Sequence, residues 1–171
     1  MRSRCRVATI SFAAAVMWMQ ASSVSCGDDG RATELFDHAL DVGGSLAVPT
    51  VAALARAGLA RIELRNGNLD EATRLCGEAY RLSEAAGDSV GRSSAAHILG
   101  VTAQMRGDLE EARRWMSERI ALAREEGNAA AVGLEASNLA MVERQLGDFE
   151  QAQELLLEAL DNFHRRRDEW A

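Results

Sequence analysis

A six-residue turn motif recurs along this chain at intervals of 40 residues, and that period limits the folds open to it more than any other feature. Its four copies, GDDGRA, GNLDEA, GDLEEA and GDFEQA, begin at Gly27, Gly67, Gly107 and Gly147. An in-phase similarity continues after each copy, and the third copy departs from it at Arg119, where the others have alanine. Repetition at about 20 to 50 residues is typical of repeat proteins, in which each unit buries its apolar face against its neighbours.

Each copy of the motif predicts a joint between two helices. The glycine ends one helix in the left-handed conformation, and the Asp or Asn that follows caps the next helix. Three residues after the cap, Glu71, Glu111 and Gln151 are placed to complete capping boxes by accepting a hydrogen bond from the backbone N–H of the cap. Between these joints lies a second set, marked by Gly43, Gly87 and Gly127. The sequence therefore predicts eight helices, one A helix and one B helix in each repeat.

The composition favours helices and supplies enough apolar surface to pack them. Ala, Leu, Glu and Arg dominate, there is one proline, and aromatic residues make up 5% of the chain, so few residues oppose helix formation. The apolar content of 47% is sufficient for a hydrophobic core. We therefore predict an all-α fold in six segments. They are a basic N-terminal tail at 1–6, a degenerate repeat 1 at 7–46, repeat 2 at 47–86, repeat 3 at 87–126, repeat 4 at 127–166, and the end of the last helix at 167–171.

Small residues recur where the two helices of a repeat are expected to cross. Leu99-Gly100 in helix A is followed by Ala112 in helix B, and Leu139-Ala140 is followed by Ala152. Together with the Gly-Asp turns, this pattern resembles the tetratricopeptide repeat family over about residues 7 to 166. The resemblance implies a right-handed α-solenoid of about four helix-turn-helix repeats. The 40-residue form is similar to the repeat region of MalT-like or LuxR-type bacterial ATPase regulators, which implies partner binding or autoregulation and not catalysis.

In the family that the chain resembles, the A helices line a concave groove that receives an extended peptide or a partner helix. The inward positions of the family can be carried over to this sequence. They are Arg61, Leu64, Arg65, Ser94, His97, Val101, Gln104, Ser137, Met141 and Arg144. Three of these groove residues are arginines, which would favour an acidic partner.

The sequence offers no constellation for catalysis or for binding a metal or cofactor. Its histidines, His38, His97 and His164, lie on different repeats and have no ligands at metal-binding spacing beside them. The spacing brings together no nucleophile, base and charge-stabilising group, so we expect neither an enzyme nor a cofactor. The cysteines at 5, 26 and 76 are widely separated, and we expect free thiols. A net charge of −7 argues against direct nucleic-acid binding, which needs a basic surface.

The N-terminal segment has two interpretations. Three arginines before residue 7 and the apolar stretch 7–19 resemble a secretory signal peptide. The 40-residue phase instead aligns Met19 with Leu59 and makes this stretch the first A helix. We favour the helix, in a cytoplasmic protein with no membrane span, because an apolar stretch of thirteen residues is too short to cross a bilayer. The alternative is a secreted or envelope protein from which residues 1 to about 25 are removed.

These patterns favour a protein-interaction scaffold or regulatory module that binds a protein or peptide in its groove, with a role in transcriptional or signalling control implied by the resemblance. Two other functions stay open. One is a secreted or lipid-anchored repeat protein of the bacterial envelope, and the other is a sensor whose groove or interhelical pocket binds a small effector. The last helix is strongly apolar from Leu155 to Trp170, so self-association through it is expected, unless the chain is a piece of a longer regulator.

Overall fold

The computed structural model describes residues 29–45 and 48–168, and within these ranges it contains helices and turns but no strand. Seven helices follow one another there. They are α1 (Asp29–Ser45), α2 (Pro49–Arg65), α3 (Leu69–Ala86), α4 (Ser89–Arg106), α5 (Leu109–Glu125), α6 (Ala129–Leu146) and α7 (Phe149–Asp168). The predicted all-α fold is confirmed. The first A helix, expected at 7–19, lies outside the described residues.

The helices alternate between the two predicted types. In the predicted repeats, α2, α4 and α6 are A helices, and α1, α3, α5 and α7 are B helices. The predicted spans 47–86 and 87–126 each contain one A and one B helix, and α7 continues past 166 to Asp168, within the segment predicted as the end of the last helix. The division into four repeats itself stays a prediction.

Glycines in the left-handed conformation follow the ends of the five helices α2 to α6. Their φ angles lie between 66° and 89°, a region in which a Cβ is strained. This prediction is confirmed at Gly67, Gly87, Gly107, Gly127 and Gly147. The joint predicted at Gly43 is different, because α1 continues through that residue to Ser45. Gly43 instead lets α2 approach, since a Cβ there would lie 3.0 Å from Cγ1 of Val51.

The capping boxes predicted at Glu71, Glu111 and Gln151 are wrong, because the backbone N–H of each cap already has a partner. In each case it donates to the carbonyl oxygen five residues earlier, at 2.9 Å. The caps concerned are Asn68, Asp108 and Asp148. The Glu71 carboxylate instead accepts hydrogen bonds from Arg74, and Glu111 does the same from Arg114. These charge-assisted bonds lower the pKa of both glutamates.

The chain divides into two compact units, and the boundary between Gly91 and Arg92 falls inside α4. In the first unit, α1 packs on α2, and α2 packs on α3. Phe36 of α1 is 2% exposed, and a Cβ at Gly58 of α2 would lie 2.4 Å from Cζ of its ring. Glycine at 58 therefore makes room for the ring between the two helices. Other large side chains buried in this unit are Val51, Leu54, Leu59, Ile62, Leu75 and Cys76.

In the second unit, α6 packs against both α5 and α7. Its core combines small and large side chains. The small ones let the helices approach closely, and the large ones fill the remaining space between them. The larger members are Met116, Ile120, Val132, Leu139, Val142 and Leu155, and the small ones are Ala112, Ala123, Ala136, Ala140, Ala152 and Ala159. The Leu-Gly pair of α4 has the same role, because a Cβ at Gly100 would lie 2.9 Å from Cγ of Met116.

Candidate functional site

The groove residues predicted in the second unit lie on α4 and α6, and each of them is half-buried or exposed. They occupy four positions that repeat 40 residues apart, one member on each helix. The pairs are Ser94 and Leu134, His97 and Ser137, Val101 and Met141, and Gln104 and Arg144. Leu134 was absent from the predicted set, although its phase with Ser94 was a sufficient signal. It is 48% exposed and lies two helical turns before Met141, which is 44% exposed.

His97 is held in place by a carboxylate from the neighbouring A helix. Its Nδ1 lies 2.8 Å from Oε2 of Glu135, and its side chain is 27% exposed. Nδ1 is engaged by this contact, and Nε2 is the ring nitrogen left for another partner. The ring is therefore fixed in orientation at the surface of α4.

Glu135 is itself part of a buried ionic cluster. Its side chain has no exposed surface, and Nε of Arg119 lies 3.0 Å from the same Oε2, at ion-pair distance but without hydrogen-bond geometry. Arg119 also donates from NH1 to the carbonyl oxygen of Ser93 at 2.9 Å. The other carboxylate oxygen, Oε1, is buried and has no hydrogen-bond partner within the described protein. The cluster thus connects α4, α5 and α6 beneath His97.

Both members of the buried pair interrupt the repeat pattern. Arg119 stands where the other B helices have alanine, at 39, 79 and 159, and Glu135 stands where α2 and α4 have Ala55 and Ala95. The departure at Arg119 was visible in the sequence. The spacing does not indicate its partner, because the two positions lie 16 apart in the sequence, on successive helices. Two matched departures from alanine, one basic and one acidic, were the signal that would have predicted the contact.

A cavity of about 450 Å³ opens between α5, α6 and α7. Its floor is apolar, formed by Ile120, Leu139 and Leu155. Charged and polar groups surround the floor; they are Arg113, Ser117, Arg124, Glu143, Asp148, Gln151 and Glu158. Two ion pairs cross this rim, so the cavity has basic groups on α5 and acidic groups on α6 and α7.

The ion pairs of the rim differ in burial. Arg113 donates from Nε and NH2 to the two carboxylate oxygens of Glu143, at 2.9 and 2.5 Å, and the Glu143 side chain is 4% exposed. This hydrogen bonding raises the pKa of Arg113. Arg124 pairs with Glu158 at 2.5 Å in a more exposed position. The bidentate geometry makes the pair between Arg113 and Glu143, which joins α5 to α6, stronger than the pair between Arg124 and Glu158, which joins α5 to α7.

In the first unit, the predicted groove residues Arg61, Leu64 and Arg65 all lie on α2, and none of them is fully buried. Arg65 forms an ion pair with Asp29 at the start of α1. Its charge is therefore partly offset within the protein, which weakens the case for an acidic partner at this position. Arg144 on α6 is exposed, and the preference for an acidic partner stays a prediction.

The described residues include one cysteine and all three histidines, whose surroundings bear on metal binding. No group of three His, Cys, Asp or Glu side chains there could hold a metal ion. Cys76 is a free thiol, and burial raises its pKa to about 12. Cys5 and Cys26 lie outside the described residues, as does the segment with two interpretations at the N-terminus. None of the described helices is long and apolar enough to cross a membrane.

Comparison with known proteins gives one family and one close structural likeness. Two sequence models of the tetratricopeptide repeat match the chain, over residues 50–125 and 136–161. No curated protein sequence matches it. The crystal structure of BtubC (BKLC) from P. vanneervenii is similar with a TM-score of 0.77 and 18% sequence identity, over 91% of this chain and 64% of that one. This chain therefore spans less than two thirds of the length of that protein.

Two other solved structures match at much lower similarity. The DHF58 filament has a TM-score of 0.36 at 17% identity, over 95% of both chains. The de novo designed helical repeat protein DHR64 has a TM-score of 0.33 at 20% identity, over 92% of this chain and 94% of that one. The likeness to BtubC supports a helical-repeat fold, and the two repeat models together cover more than half of the residues. The chain belongs to the tetratricopeptide repeat family.

Proposed function

We propose that this protein is a non-catalytic interaction module that binds a protein or peptide on the A-helix surface of its second unit. Tetratricopeptide repeats are typically scaffolds for protein binding and not catalysts, which supports the general function. The specific surface is our assignment. It consists of Ser94, His97, Val101, Gln104, Leu134, Ser137, Met141 and Arg144, and we call it the A-helix surface.

The observation that carries this proposal is the combination of a fixed polar group with exposed apolar side chains. Glu135 holds His97 in one orientation, so a partner that hydrogen-bonds to Nε2 does not have to order the ring first. Leu134 and Met141 are 48% and 44% exposed on one face of α6, and they offer apolar area that a partner would bury. Such a mixture of anchors and oriented polar groups is typical of surfaces that recognise peptides.

The test uses peptides selected from a displayed random library on the immobilised 171-residue chain. We expect selected peptides to bind Leu134→Glu and His97→Ala at least about tenfold more weakly than the wild type, because these changes remove an apolar anchor and the fixed ring. Leu157→Glu is the matched control, since Leu157 is 59% exposed on α7 and lies outside the A-helix surface. Peptides that bind Leu134→Glu and wild type equally would contradict the assignment.

The same peptides test the expected preference for acidic partners. If Arg144 contributes to recognition, the selected sequences will be enriched in Asp and Glu, Arg144→Glu will weaken their binding, and added salt will weaken their binding to the wild type. Selected peptides without acidic residues would leave the A-helix surface in place but contradict the acidic preference. From the resemblance to the MalT-like regulators, we further propose that the module acts in transcriptional or signalling control in the cytoplasm.

The cavity between α5, α6 and α7 supports a second candidate function, as a sensor of a small effector. Its volume of about 450 Å³ is within the range of small-molecule sites, about 300 to 1,000 Å³. The apolar floor and the mixed charges of the rim suit a compact molecule with an apolar body, an ammonium group and a carboxylate. A panel of apolar amino acids and dipeptides would then raise the melting temperature of the wild type and not that of Leu139→Trp, which fills the floor.

The alternative location in the envelope depends on the N-terminal residues. The intact mass of the protein purified from its own host tests it, because removal of a signal peptide of about 15 to 30 residues lowers the mass by about 2 kDa or more. A mass equal to that of residues 1 to 171 would contradict a cleaved signal, whereas the lower mass would contradict the cytoplasmic regulator.

A further inference from the structure

The cavity between α5, α6 and α7 depends on side chains that differ from those of the preceding repeat. Ile120 and Leu155 form part of its floor, and the residues 40 positions earlier are Tyr80 and Trp115. The aliphatic side chains are smaller than these rings, so they leave space where helices otherwise pack closely. The repeat pattern does not require this space, and the cavity is a specific feature of these three helices.

The charges on the rim of the cavity do not balance. The rim has two arginines, Arg113 and Arg124, and three carboxylates, Glu143, Asp148 and Glu158. Arg113 pairs with Glu143, and Arg124 pairs with Glu158. Asp148 has no ion-pair partner among the residues that the structure describes. The rim therefore has an excess of one negative charge, and its unmatched group is the carboxylate of Asp148.

The surroundings of Arg113 add to this excess. Besides its two hydrogen bonds to Glu143, it donates from NH1 to Glu110 at 3.1 Å. The hydrogen bonding to Glu143 is the main cause of the raised pKa of Arg113, and the negative charges of Glu110 and Asp148 contribute to it. Three carboxylates thus surround one guanidinium group, and a positive group that enters the cavity meets a favourable potential.

A ligand carboxylate finds few donors on the same rim. Nε, NH1 and NH2 of Arg113 already donate to Glu143 and Glu110. Drawing Arg113 away would leave the carboxylate of Glu143, which is 4% exposed, without its partner, and that is costly. Arg124 is the remaining cation, and its side chain is 56% exposed, so a charge pair there gains little. The rim is therefore better suited to a cation than to an anion.

Asp148 has an acceptor that a cation can use. Its Oδ1 accepts a hydrogen bond from the backbone N–H of Gln151 at 3.0 Å, at the start of α7. Its Oδ2 accepts none from the described residues. A primary ammonium group has three donors, and one of them can bind Oδ2 while an apolar body covers the floor of the cavity.

We propose that the cavity is selective for an amine with a compact apolar body, whose ammonium group binds Asp148 and is its only charge. This inference rests on the second candidate function above, the binding of a small effector, and it assigns the recognition to the ammonium group alone. A carboxylate on the same molecule lowers its affinity, because it meets the excess of negative charge on the rim.

Three ligands that share a phenyl ring test the charge preference. Phenethylamine has only an ammonium group, phenylalanine has an ammonium and a carboxylate, and hydrocinnamate has only a carboxylate. Isothermal titration calorimetry on the 171-residue chain measures the affinity for each ligand. We expect phenethylamine to bind at least about tenfold more tightly than phenylalanine, and hydrocinnamate not to bind, because the rim repels the added negative charge.

A charge-removing substitution tests the role of Asp148. Asp148→Asn keeps a residue that caps a helix well, and it should weaken the binding of phenethylamine at least about tenfold, because a charged hydrogen-bond partner is lost. Asp108→Asn is the matched control, since Asp108 stands at the equivalent position before α5 and does not line the cavity. Circular dichroism confirms that each variant is folded.

The possible failures are distinct. Equal affinities for phenethylamine and phenylalanine, or unchanged binding of phenethylamine to Asp148→Asn, would overturn the selectivity while the effector site stands. Binding of phenethylamine to a folded Leu139→Trp as tightly as to the wild type would show that the amine binds elsewhere, which also overturns the proposal. If none of the three ligands binds the wild type, the effector-binding function fails, and the selectivity fails with it.

Discussion

The most unusual side chains of this protein are the charged ones in its core. Glu135 is fully buried, and Arg119 is 14% exposed beside it, in a framework that otherwise places alanine at both positions. Removing such charges from water is costly, and their attraction offsets the cost only while both are present. Burying the pair therefore costs stability, while Glu135 orients His97 at the surface. Substitutions can separate these two effects.

We expect Glu135→Ala to lower the free energy of unfolding by about 3 kcal/mol, because it leaves Arg119 without its ion-pair partner. The double variant Glu135→Ala with Arg119→Ala restores the alanines of the other repeats, and it should be more stable than Glu135→Ala alone. Urea unfolding of the four proteins in a double-mutant cycle measures the coupling. Costs that simply add in the double variant would show that the two side chains do not depend on each other.

A second prediction concerns glycines inside helices. Gly58→Ala places a methyl group 2.4 Å from the Phe36 ring, and we expect it to lower the free energy of unfolding by about 1 to 3 kcal/mol through overpacking. Gly77 of α3 is the matched control, because nothing lies within 4 Å of a Cβ there. Gly77→Ala should stabilise the protein by up to about 1 kcal/mol through helix propensity. Thermal unfolding distinguishes the two, and equal shifts would contradict the close contact.

Among the helices, the joints share one backbone turn but differ in their caps. The side chain of Asn128, at the start of α6, accepts a hydrogen bond from the N–H of Ala131 at 3.1 Å, whereas Asn68, at the start of α3, makes no cap bond. Its side chain donates to Glu63 instead. The repeated motif thus specifies the turn, and the local neighbours decide whether the cap side chain is used.

This difference predicts unequal effects of the same substitution. Asn128→Ala should lower the free energy of unfolding by about 1 kcal/mol, because one N–H at the start of α6 loses its acceptor. Asn68→Ala should cost only a few tenths of that, because it breaks an exposed bond between side chains. The measurement is the urea midpoint of each variant. A larger loss for Asn68→Ala than for Asn128→Ala would refute the cap assignment.

At the scale of the molecule, arginine is the only strongly basic residue type in the sequence, and among the described residues its ion-pair partners are mostly glutamates. Arg56 pairs with Glu78, and Arg92 pairs with Glu118, each at 2.9 Å. The forked guanidinium binds a carboxylate more specifically than an ammonium group does. A net charge of −7 is thus compatible with local neutralisation between adjacent helices, and these two pairs are part-buried.

The stability of the molecule should decrease at alkaline pH through Cys76. Burial raises the pKa of its thiol to about 12, whereas an unfolded thiol ionises near about 8.5. The unfolded chain loses this proton first, so the contribution to stability is complete below the unfolded pKa and is lost as pH rises towards the folded value. Urea unfolding between about pH 8 and 10.5 should show a steeper loss for wild type than for Cys76→Ala. Parallel slopes would contradict the effect of burial.

The sequence by itself determined the helical content, the left-handed glycines and the exposed positions of the A helices. These properties depend on local conformation and on the period of apolar residues, and both can be read along one chain. Phase alone would also have placed Leu134 beside the predicted groove residues.

Only the tertiary structure decided which side chains meet across helices. It paired Arg119 with Glu135, placed the Phe36 ring over Gly58, and gave the cap N–H groups to backbone carbonyls in place of Glu71 and Glu111. Each outcome is a competition between several partners within reach. The result depends on differences of a few tenths of an ångström in the positions of neighbouring helices. A periodic sequence pattern does not specify such small differences.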